Sequence, residues 1–380
     1  MEHKCLLIDP LNSSASRTVF RIPQGTPYYA KKIRIVNFGI SNNSGNAIYF
    51  NHNGVYSLLS RLSIFSRNGT EIDFLGNMDA MGIKLLHMEN SSQFNLGRQL
   101  SMSMCNSVVA PSLSQLSLTE EGQKDDASLM GDSLFIDVSL MLNYLQASHI
   151  LDHELTIICE WADSSVLGYS YSFTRFPVLS ICEPLVEKAD LNPNVNYLTY
   201  INDRLVLTSS EGNRASSISQ RLNSYFNQYI HNFWYYNILN REENLLGLPS
   251  AKLNESCNLQ INGFKLLPLL GNNSDARALA LADDMSGSMN ICNMSSYAYQ
   301  ASINNTTYGL YNPNLGIKYA GVFGYKCIRL DRQILMDLTI EYSFDANDAP
   351  PAGKSNTVVT LAEVLRSYNK DTQTVSFVRA

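Results

Sequence analysis

Charged residues are scarce in this sequence. They make up 16% of its 380 residues, whereas an average soluble protein contains roughly 25%. Because 45% of the residues are hydrophobic, the polar surface has to come from Asn, Ser, Thr and Tyr, which suits loops between strands and contacts with other proteins. The formal net charge of -6 argues against a nucleic-acid binder, since such proteins normally carry a basic domain or a basic arm.

Long apolar runs are also missing, so no transmembrane segment is predicted. The apolar patch from Cys5 to Ile8 is too short for the core of a signal peptide, and Asp9 and Pro10 follow it directly. The cysteines form no Cys-x-x-Cys pair. They are Cys5, Cys105, Cys159, Cys182, Cys257, Cys292 and Cys327. Several lie in strand-like sequence, so we expect buried free thiols and synthesis and assembly in a reducing host compartment.

Motifs of catalysis are absent. The sequence has no Gly-rich phosphate loop and no Gly-x-Ser-x-Gly nucleophile elbow. The His-x-His pair of an enzymatic cupin is missing as well, because no two of the six histidines are two positions apart. We therefore predict that the protein is not an enzyme, and that it has no catalytic, cofactor-binding or metal-binding residues.

Four short clusters are the candidates that could contradict that prediction. His149 and His153 are four residues apart, a spacing that lets both bind zinc only when they lie on a helix. Here the chain leads directly into a strand, so a solvated histidine pair at the entrance of that strand is favoured. The adjacent carboxylates Asp125-Asp126 and Asp283-Asp284 lack the alternating ligands of a calcium loop. The run Phe233-Trp234-Tyr235-Tyr236 could stack on sugars or bases, but a core or interface cluster is favoured.

Alternation of apolar and polar residues dominates the clearest segments, and it indicates strands with one buried face. Ile33 and Ile35 are expected to face inward while Lys32 and Arg34 face water. The same pattern recurs in three further segments, with these apolar positions: Leu134, Ile136, Val138 and Leu140; Leu155, Ile157, Cys159 and Trp161; Leu338, Ile340, Tyr342 and Phe344.

Turn residues agree with a β protein. Asn68-Gly69 and Asn262-Gly263 each separate two strand-like runs and predict hairpins with type I′ turns. Asn202-Asp203 is a candidate for a third hairpin. Helices are expected to be few and short, except for one longer candidate. The candidates are Ile218 to Leu239, Met78 to Met88, Leu140 to Leu145 and Leu361 to Tyr368.

One strand phrase occurs twice in the sequence. Glu154 to Trp161 reads E-L-T-I-I-C-E-W, and Asp337 to Phe344 reads D-L-T-I-E-Y-S-F. A period of about half the chain is far longer than a solenoid repeat, so it predicts two copies of one domain-sized β unit. The predicted limits are 1–190 for the first unit, 191–349 for the second, and 350–380 for a C-terminal extension or arm.

Two passages resemble the double jelly-roll major capsid proteins of the adenovirus and virophage type. The first lies within Asp132 to Trp161 and reads L-F-I-D-V-S-L-M-L-N-Y-L-Q-A-S-H-I-L-D-H-E-L-T-I-I-C-E-W. The second lies within Asn53 to Leu75 and reads G-V-Y-S-L-L-S-R-L-S-I-F-S-R-N-G-T-E-I-D. The resemblance implies an all-β protein of two tandem jelly-roll β-sandwiches with a few short helices.

The resemblance also implies a function. We expect a viral major capsid protein located in the virion, whose homotrimers form pseudo-hexameric capsomers that tile an icosahedral shell. Neighbouring capsomers and minor or penton capsid proteins would be its partners, with no cofactor and no direct nucleic-acid binding. The main alternative is a carbohydrate- or receptor-binding β-sandwich, such as a spike, vertex or lectin-like protein. A β-sandwich hydrolase is a third, which no carboxylate spacing in the sequence supports.

Overall fold

The structure is a computed structural model of the chain, and a defined set of residues is described. These are 5–28, 33–43, 48–49, 56, 58–76, 108–109, 134–138, 141–146, 149–151, 153–167, 170–182, 194–208, 217–222, 226–238, 256–265, 302–303, 306–307, 326–343 and 355–378.

Strands dominate the described residues in the first half of the chain. In order they are β1 (Cys5–Ile8), β2 (Asn12–Ser13), β3 (Arg17–Ile22), β4 (Pro27–Tyr28), β5 (Ile33–Asn42), β6 (Ile48–Tyr49), β7 (Leu59–Ser66), β8 (Glu71–Gly76), β9 (Val108–Val109), β10 (Leu134–Asp137), β11 (His149–Ile150), β12 (Leu155–Trp161), β13 (Tyr171–Arg175) and β14 (Val178–Cys182). Helix within the described residues of this half is limited to a 3-10 turn, Asn143–Gln146, and one short α-helix, Ser164–Leu167.

Ten of these strands make two antiparallel sheets, and eight of the ten are the main strands. One sheet has the order β1-β14-β5-β10, with β13 also paired to β5. The other has the order β2-β3-β12-β7-β8, where β2 is a short addition at the edge. The eight main strands, in chain order, are β1, β3, β5, β7, β8, β10, β12 and β14. One sheet contains the first, eighth, third and sixth of them, and the other contains the second, seventh, fourth and fifth. That interleaved order is a jelly roll.

The second half repeats this order. Its strands are β15 (Asn194–Thr208), β16 (Ser217–Arg221), β17 (Tyr229–Ile238), β18 (Ser256–Ile261), β19 (Phe264–Lys265), β20 (Ser302–Ile303), β21 (Thr306–Thr307), β22 (Lys326–Gln333), β23 (Leu338–Ser343), β24 (Ser355–Asn369) and β25 (Thr374–Phe377). The sheets are β15-β24-β17-β22, with β25 paired to β24, and β16-β23-β18-β19. Again the first, eighth, third and sixth main strands form one sheet. The protein is therefore all-β, with two tandem jelly-roll sandwiches.

The repeated phrase marks equivalent strands. Leu155-Thr156-Ile157 lies in β12 and Leu338-Thr339-Ile340 lies in β23. Each is the seventh main strand of its unit and pairs with the second and fourth, since β12 pairs with β3 and β7, and β23 pairs with β16 and β18. The prediction of two copies of one β unit is confirmed.

Both Asn-Gly hairpins are present, but only one has the predicted turn. Asn262 and Gly263 have φ values of 51° and 79°, and Ile261 faces Phe264 across the turn, as a type I′ turn requires. At the other hairpin only Gly69 has a positive φ, of 83°. Gly69 N donates to Ser66 O and Ser66 N to Thr70 O, so this is a type I turn followed by a glycine bulge.

Several predicted elements are wrong. Ile218 to Leu239, the longer helix candidate, contains most of β16 and all of β17, and Leu361 to Tyr368 lies within β24. Their β-branched and aromatic residues favour an extended chain once a sheet partner is available. Asn202-Asp203 closes no hairpin, because β15 runs through it. Leu140 to Leu145 overlaps the 3-10 turn, and Met78 to Met88 lies outside the described residues.

The alternating apolar residues form the core of the first unit. Ile33, Ile35, Leu155 and Ile157 have no exposed surface. The two sheets meet where the ring of Phe38 on β5 lies 5.8 Å from the ring of Trp161 on β12, which makes this unit a sandwich. Asp137 alternates with the apolar residues Ile136 and Val138, a pattern that predicts an outward side chain, but that side chain is fully buried beside Arg34.

The chain separates into two compact units. The first comprises Met1–Leu85, Gln93–Thr199 and Arg366–Ser376, and the second comprises Leu86–Ser92, Tyr200–Leu365 and Phe377–Ala380. Residues 350–380, predicted to be an extension or arm, contain β24, which is hydrogen-bonded to β17 as the eighth main strand. The limits 1–190 and 191–349 stay predictions.

Candidate interaction surfaces

His153 does not lie at the solvated strand entrance that the sequence favoured for the histidine pair. His149 lies in β11, opposite Tyr28 of β4. His153 is buried, with 7% of its surface exposed, and its Nε2 lies 2.8 Å from the hydroxyl of Tyr368. Within the described ranges, no three His, Cys, Asp or Glu residues lie close enough together to hold a metal ion.

The two acidic pairs and the aromatic run have different outcomes. Asp125-Asp126 and Asp283-Asp284 lie outside the described residues. In the aromatic run, Phe233 on β17 is fully buried. A buried ring cannot stack on a sugar or a base, so for Phe233 the core interpretation is confirmed.

The cysteines depart from the expectation of free thiols only. Cys5 on β1 and Cys182 on β14 form a disulfide. They face each other directly in the register of the two strands. Cys159 on β12 is a buried free thiol, as predicted, and burial raises its pKa well above the usual value. The disulfide was not predicted because the sequence separation of 177 leaves no local signal.

Large apolar side chains are exposed at a few places in each unit. In the first unit they are Leu6 and Leu7 on β1, Leu11 just after it, and Phe176 between β13 and β14; in the second they are Phe226, Leu335, Met336 and Phe377. Apolar surface of this kind, where it is contiguous, marks contacts with other proteins.

At one end of the second jelly roll, three connections are tied together. Asn262 of the β18–β19 turn accepts hydrogen bonds at Oδ1 from Leu335 N and Met336 N, each at 2.9 Å. The β16–β17 connection joins through Asn227 N, which donates to Ile334 O at 2.7 Å. These bonds hold the β22–β23 turn in one conformation. We call the exposed side chains Phe226, Leu335 and Met336 the apolar end of the second unit.

Exposure at the apolar end is high for residues of this size. Phe226 is 56% exposed, Leu335 62% and Met336 60%. Ile334, immediately before them, is fully buried and anchors the turn in the core. The β22–β23 turn therefore makes these polar contacts through its backbone atoms, while the side chains of Leu335 and Met336 face outward. Such a surface is suited to a contact with another protein.

The β7–β8 turn of the first jelly roll corresponds to the β18–β19 turn of the second, and it is hydrogen-bonded to a later segment of the same chain. Asn68, in the β7–β8 turn, donates from its backbone N to Gln373 Oε1 and from Nδ2 to Gln373 O, both at 3.2 Å. Tyr368 is fully buried and packs edge-on against Tyr144, with ring centroids 5.8 Å apart. Residues 366–376 are thus an integral part of the first unit.

Two carboxylates are buried in the interior of the first unit, and each is bonded to a neighbouring group. Asp73 is fully buried and accepts a hydrogen bond from Tyr144 N at 3.0 Å. Asp137 forms an ion pair with Arg34 at 3.4 Å, and its backbone N donates to the hydroxyl of Tyr56 at 3.2 Å. Each carboxylate therefore has a structural partner, which is what burial of a charge requires.

The apolar end was missed by the sequence reasoning, although a signal for it exists. Ile334, Leu335 and Met336 are three apolar residues in succession between two strands, where the alternating pattern predicts one buried residue in two. At least one of three consecutive apolar residues at a turn has to be exposed. Only the structure shows that Leu335 and Met336 are those residues and that Phe226 lies in a connection bonded to the same turn.

None of the helices in the described ranges has the length and apolar character needed to cross a membrane. No protein-family model matches this sequence, and comparison with curated proteins gives no significant match. Solved structures do match. VP54 of PBCV-1, in a crystal structure fitted into a cryo-EM reconstruction of the virophage Sputnik, gives a TM-score of 0.52 at 11% identity, covering 100% of this chain and 97% of that chain.

A second structure agrees. The quasi-atomic model of the PBCV-1 virus capsid gives a TM-score of 0.51 at 11% identity, again over 100% of this chain and 97% of that chain. At this identity the likeness concerns the fold. It extends over both jelly rolls, and the chain therefore has the double jelly-roll fold.

Proposed function

We propose that this chain is a viral major capsid protein whose trimers build an icosahedral shell. The observation that carries the proposal is the duplicated strand order, in which both halves place their first, eighth, third and sixth main strands in one sheet. Together with the full-length likeness to VP54 and to the PBCV-1 capsid, it supports a structural role that needs two similar sandwiches in one polypeptide.

The duplication has a geometric use. A trimer of a chain with two similar units presents six similar edges, so it packs in a hexagonal lattice although its exact symmetry is threefold. Obligate interfaces bury roughly 2,000 to 5,000 Å² and are rich in apolar surface. A charged fraction of 16% suits such interfaces, because few charges have to be removed from water when subunits meet.

The exposed apolar residues are the best candidates for contacts within the shell. The apolar end of the second unit joins Phe226, Leu335 and Met336 on connections that are hydrogen-bonded to each other. We propose that a neighbouring capsid subunit covers this end. Minor or penton capsid proteins are further proposed partners. A net charge of -6 argues against direct contact with nucleic acid.

We further propose that the protein acts by assembly and not by catalysis, is located in the virion, and is made in a reducing compartment. The carbohydrate- or receptor-binding alternative has less support, because Phe233 of the aromatic run is buried. A glycan array is the direct test of that alternative. Saturable and selective binding of one glycan class by the purified chain, without self-association, would favour it over the capsid proposal.

Light scattering coupled to size-exclusion chromatography tests assembly. We expect a species of three times the chain mass of 42.5 kDa, and negative-stain images with threefold outlines or hexagonal arrays. The control is the double variant Leu335→Ser and Met336→Ser, which removes apolar surface without touching the core. A wild-type protein that stays a monodisperse monomer at millimolar concentration would overturn the proposal.

A further inference from the structure

The first strand of the chain lies at the edge of its sheet. β1 (Cys5–Ile8) pairs antiparallel with β14, and within the described residues β14 is its one partner in that sheet. Leu6 is 44% exposed and Leu7 57%. Little apolar surface is therefore buried by β1. Its attachment to β14 depends mainly on backbone hydrogen bonds and on any covalent link between the two strands. Such elements open locally far more readily than core strands.

A covalent link is present at the end of this strand. Cys5, the first residue of β1, faces Cys182 directly and forms a disulfide with it. Cys5 is exposed, whereas Cys182 is 8% exposed. A thiolate in solution can therefore reach the disulfide from the Cys5 side without disturbing the core.

Cys159 gives an internal contrast. It lies on β12 in the other sheet of the same unit and is fully buried as a free thiol. Burial raises the pKa of this thiol, so it is protonated and unreactive while the unit is folded. One sandwich thus contains an accessible disulfide at its edge and an inaccessible thiol in its core.

We propose that the Cys5–Cys182 disulfide is a redox-controlled staple that closes after folding. Under reducing conditions the first unit folds with β1 paired to β14 but not covalently linked to it, and the disulfide locks β1 once the protein meets a disulfide oxidant such as oxidised glutathione. The inference goes beyond the proposed function and does not depend on it.

The chemistry of closure is two successive exchanges. The Cys5 thiolate attacks oxidised glutathione, forming a mixed disulfide and releasing one glutathione thiolate. The Cys182 thiolate then attacks the Cys5 sulfur and releases the second glutathione. Two protein thiols are oxidised, one glutathione disulfide is reduced to two thiols, and the two protons pass to the glutathione products. Reduction runs the same steps in reverse.

The staple controls whether the edge of β14 is open. In the reduced chain, β1 can leave β14 while β14 stays paired with β5 on its other side. In the oxidised chain, β1 cannot separate from β14 because Cys5, at the start of β1, is bonded covalently to Cys182 of β14. Oxidation is therefore expected to suppress opening of β1 with little effect on the rest of the sandwich.

Differential alkylation with peptide mass spectrometry tests the proposal on the full chain. The protein is equilibrated in buffers from reduced to oxidised glutathione, and modification is read separately at Cys5, Cys182 and Cys159. We expect Cys5 and Cys182 to change together and reversibly while Cys159 stays unlabelled. Hydrogen exchange of the peptide containing Leu6 to Ile8 should be at least about tenfold faster in the reduced state, as for a strand that opens locally.

Two variants complete the test. Cys5→Ser and Cys182→Ser should each show the fast exchange in every buffer and lose the response to glutathione. Two results would overturn the proposal: free Cys5 and Cys182 thiols in fully oxidised buffer, or labelling of Cys159 at the rate at which the disulfide is reduced, which would mean that reduction unfolds the unit. Neither result bears on trimer assembly, which light scattering measures separately.

Discussion

Substitutions at Asn262 separate the effect of backbone conformation from that of hydrogen bonding. Asn262 has a φ of 51° and precedes Gly263 in the type I′ turn between β18 and β19. Its Oδ1 accepts from Leu335 N and Met336 N at 2.9 Å. Asn262→Ala removes both hydrogen bonds and places a Cβ without a compensating polar group at positive φ. Asn262→Gly removes the hydrogen bonds alone, and Asn262→Asp keeps the acceptor.

The expected losses differ for the three variants. Each hydrogen bond contributes about 0.5 to 1 kcal/mol at this partly exposed place, and the left-handed conformation costs an Ala residue about 1 kcal/mol. Asn262→Ala should therefore lose about 2 to 3 kcal/mol of the free energy of unfolding of the second unit, and Asn262→Gly about 1 to 2 kcal/mol. Asn262→Asp loses only the long contact between Nδ2 and Gln333 O, at 3.4 Å, and should stay within about 0.5 kcal/mol of the original.

Urea unfolding with pulse-labelling hydrogen exchange measures these losses, because peptides from each unit report their own midpoint. Asn68 is the matched control. It occupies the same topological position in the first unit, yet its φ is not positive, so Asn68→Gly should be no more stable than Asn68→Ala. Equal losses for Asn262→Gly and Asn262→Ala would refute the conformational reasoning. A loss for Asn262→Asp as large as that for Asn262→Ala would refute the hydrogen-bond reasoning.

Three further predictions follow from other parts of the structure. Tyr368→Phe removes the hydroxyl that lies 2.8 Å from His153 Nε2 in a buried place, so urea unfolding of the first unit should show a loss of about 1 to 3 kcal/mol; an unchanged midpoint would contradict that role. Leu335→Ser combined with Met336→Ser should leave the thermal midpoint unchanged, since both residues are exposed, but should lower the assembled fraction in light scattering; unchanged assembly would remove this end from the proposed contacts. Burial, and secondly the charge of Asp163, raises the pKa of Tyr171 above its usual value. The neutral form of Tyr171 therefore stabilises the folded first unit fully below a pH of about 10. This stabilisation is lost only as the pH rises through the raised pKa. Ultraviolet titration at pH 11 should accordingly give the same absorbance change for the original chain and for Tyr171→Phe, and a smaller change in the variant would contradict the shift.

Much of the fold could be predicted from local patterns. Alternation placed Ile33 and Leu155 in the core, and the repeated Leu-Thr-Ile phrase located the seventh main strand of both units. The aromatic segment around Phe233 was less informative, because its apolar spacing suits a helix while its residue types suit a strand. Pairing of β17 with β22 and β24 decided in favour of the strand.

The surfaces were harder to predict than the core. Asp137 follows the alternating pattern as an outward residue, yet Arg34 of the neighbouring strand pairs with it and lets it be buried. His153 is placed inside by Tyr368, which is 215 residues away in the sequence. Contacts of this kind depend on residues that are distant in the chain, so no local window contains them.

The amino-acid sequence by itself determined that this is a β protein built of two related units, because alternation, Asn-Gly turns and an internal repeat act over a few residues. Only the tertiary structure decided which strands are neighbours, which cysteines are joined, and which turn exposes Leu335 and Met336. The physical reason is that a jelly roll pairs its first strand with its eighth, and such pairing is fixed by packing across the whole unit, not by propensity within any segment.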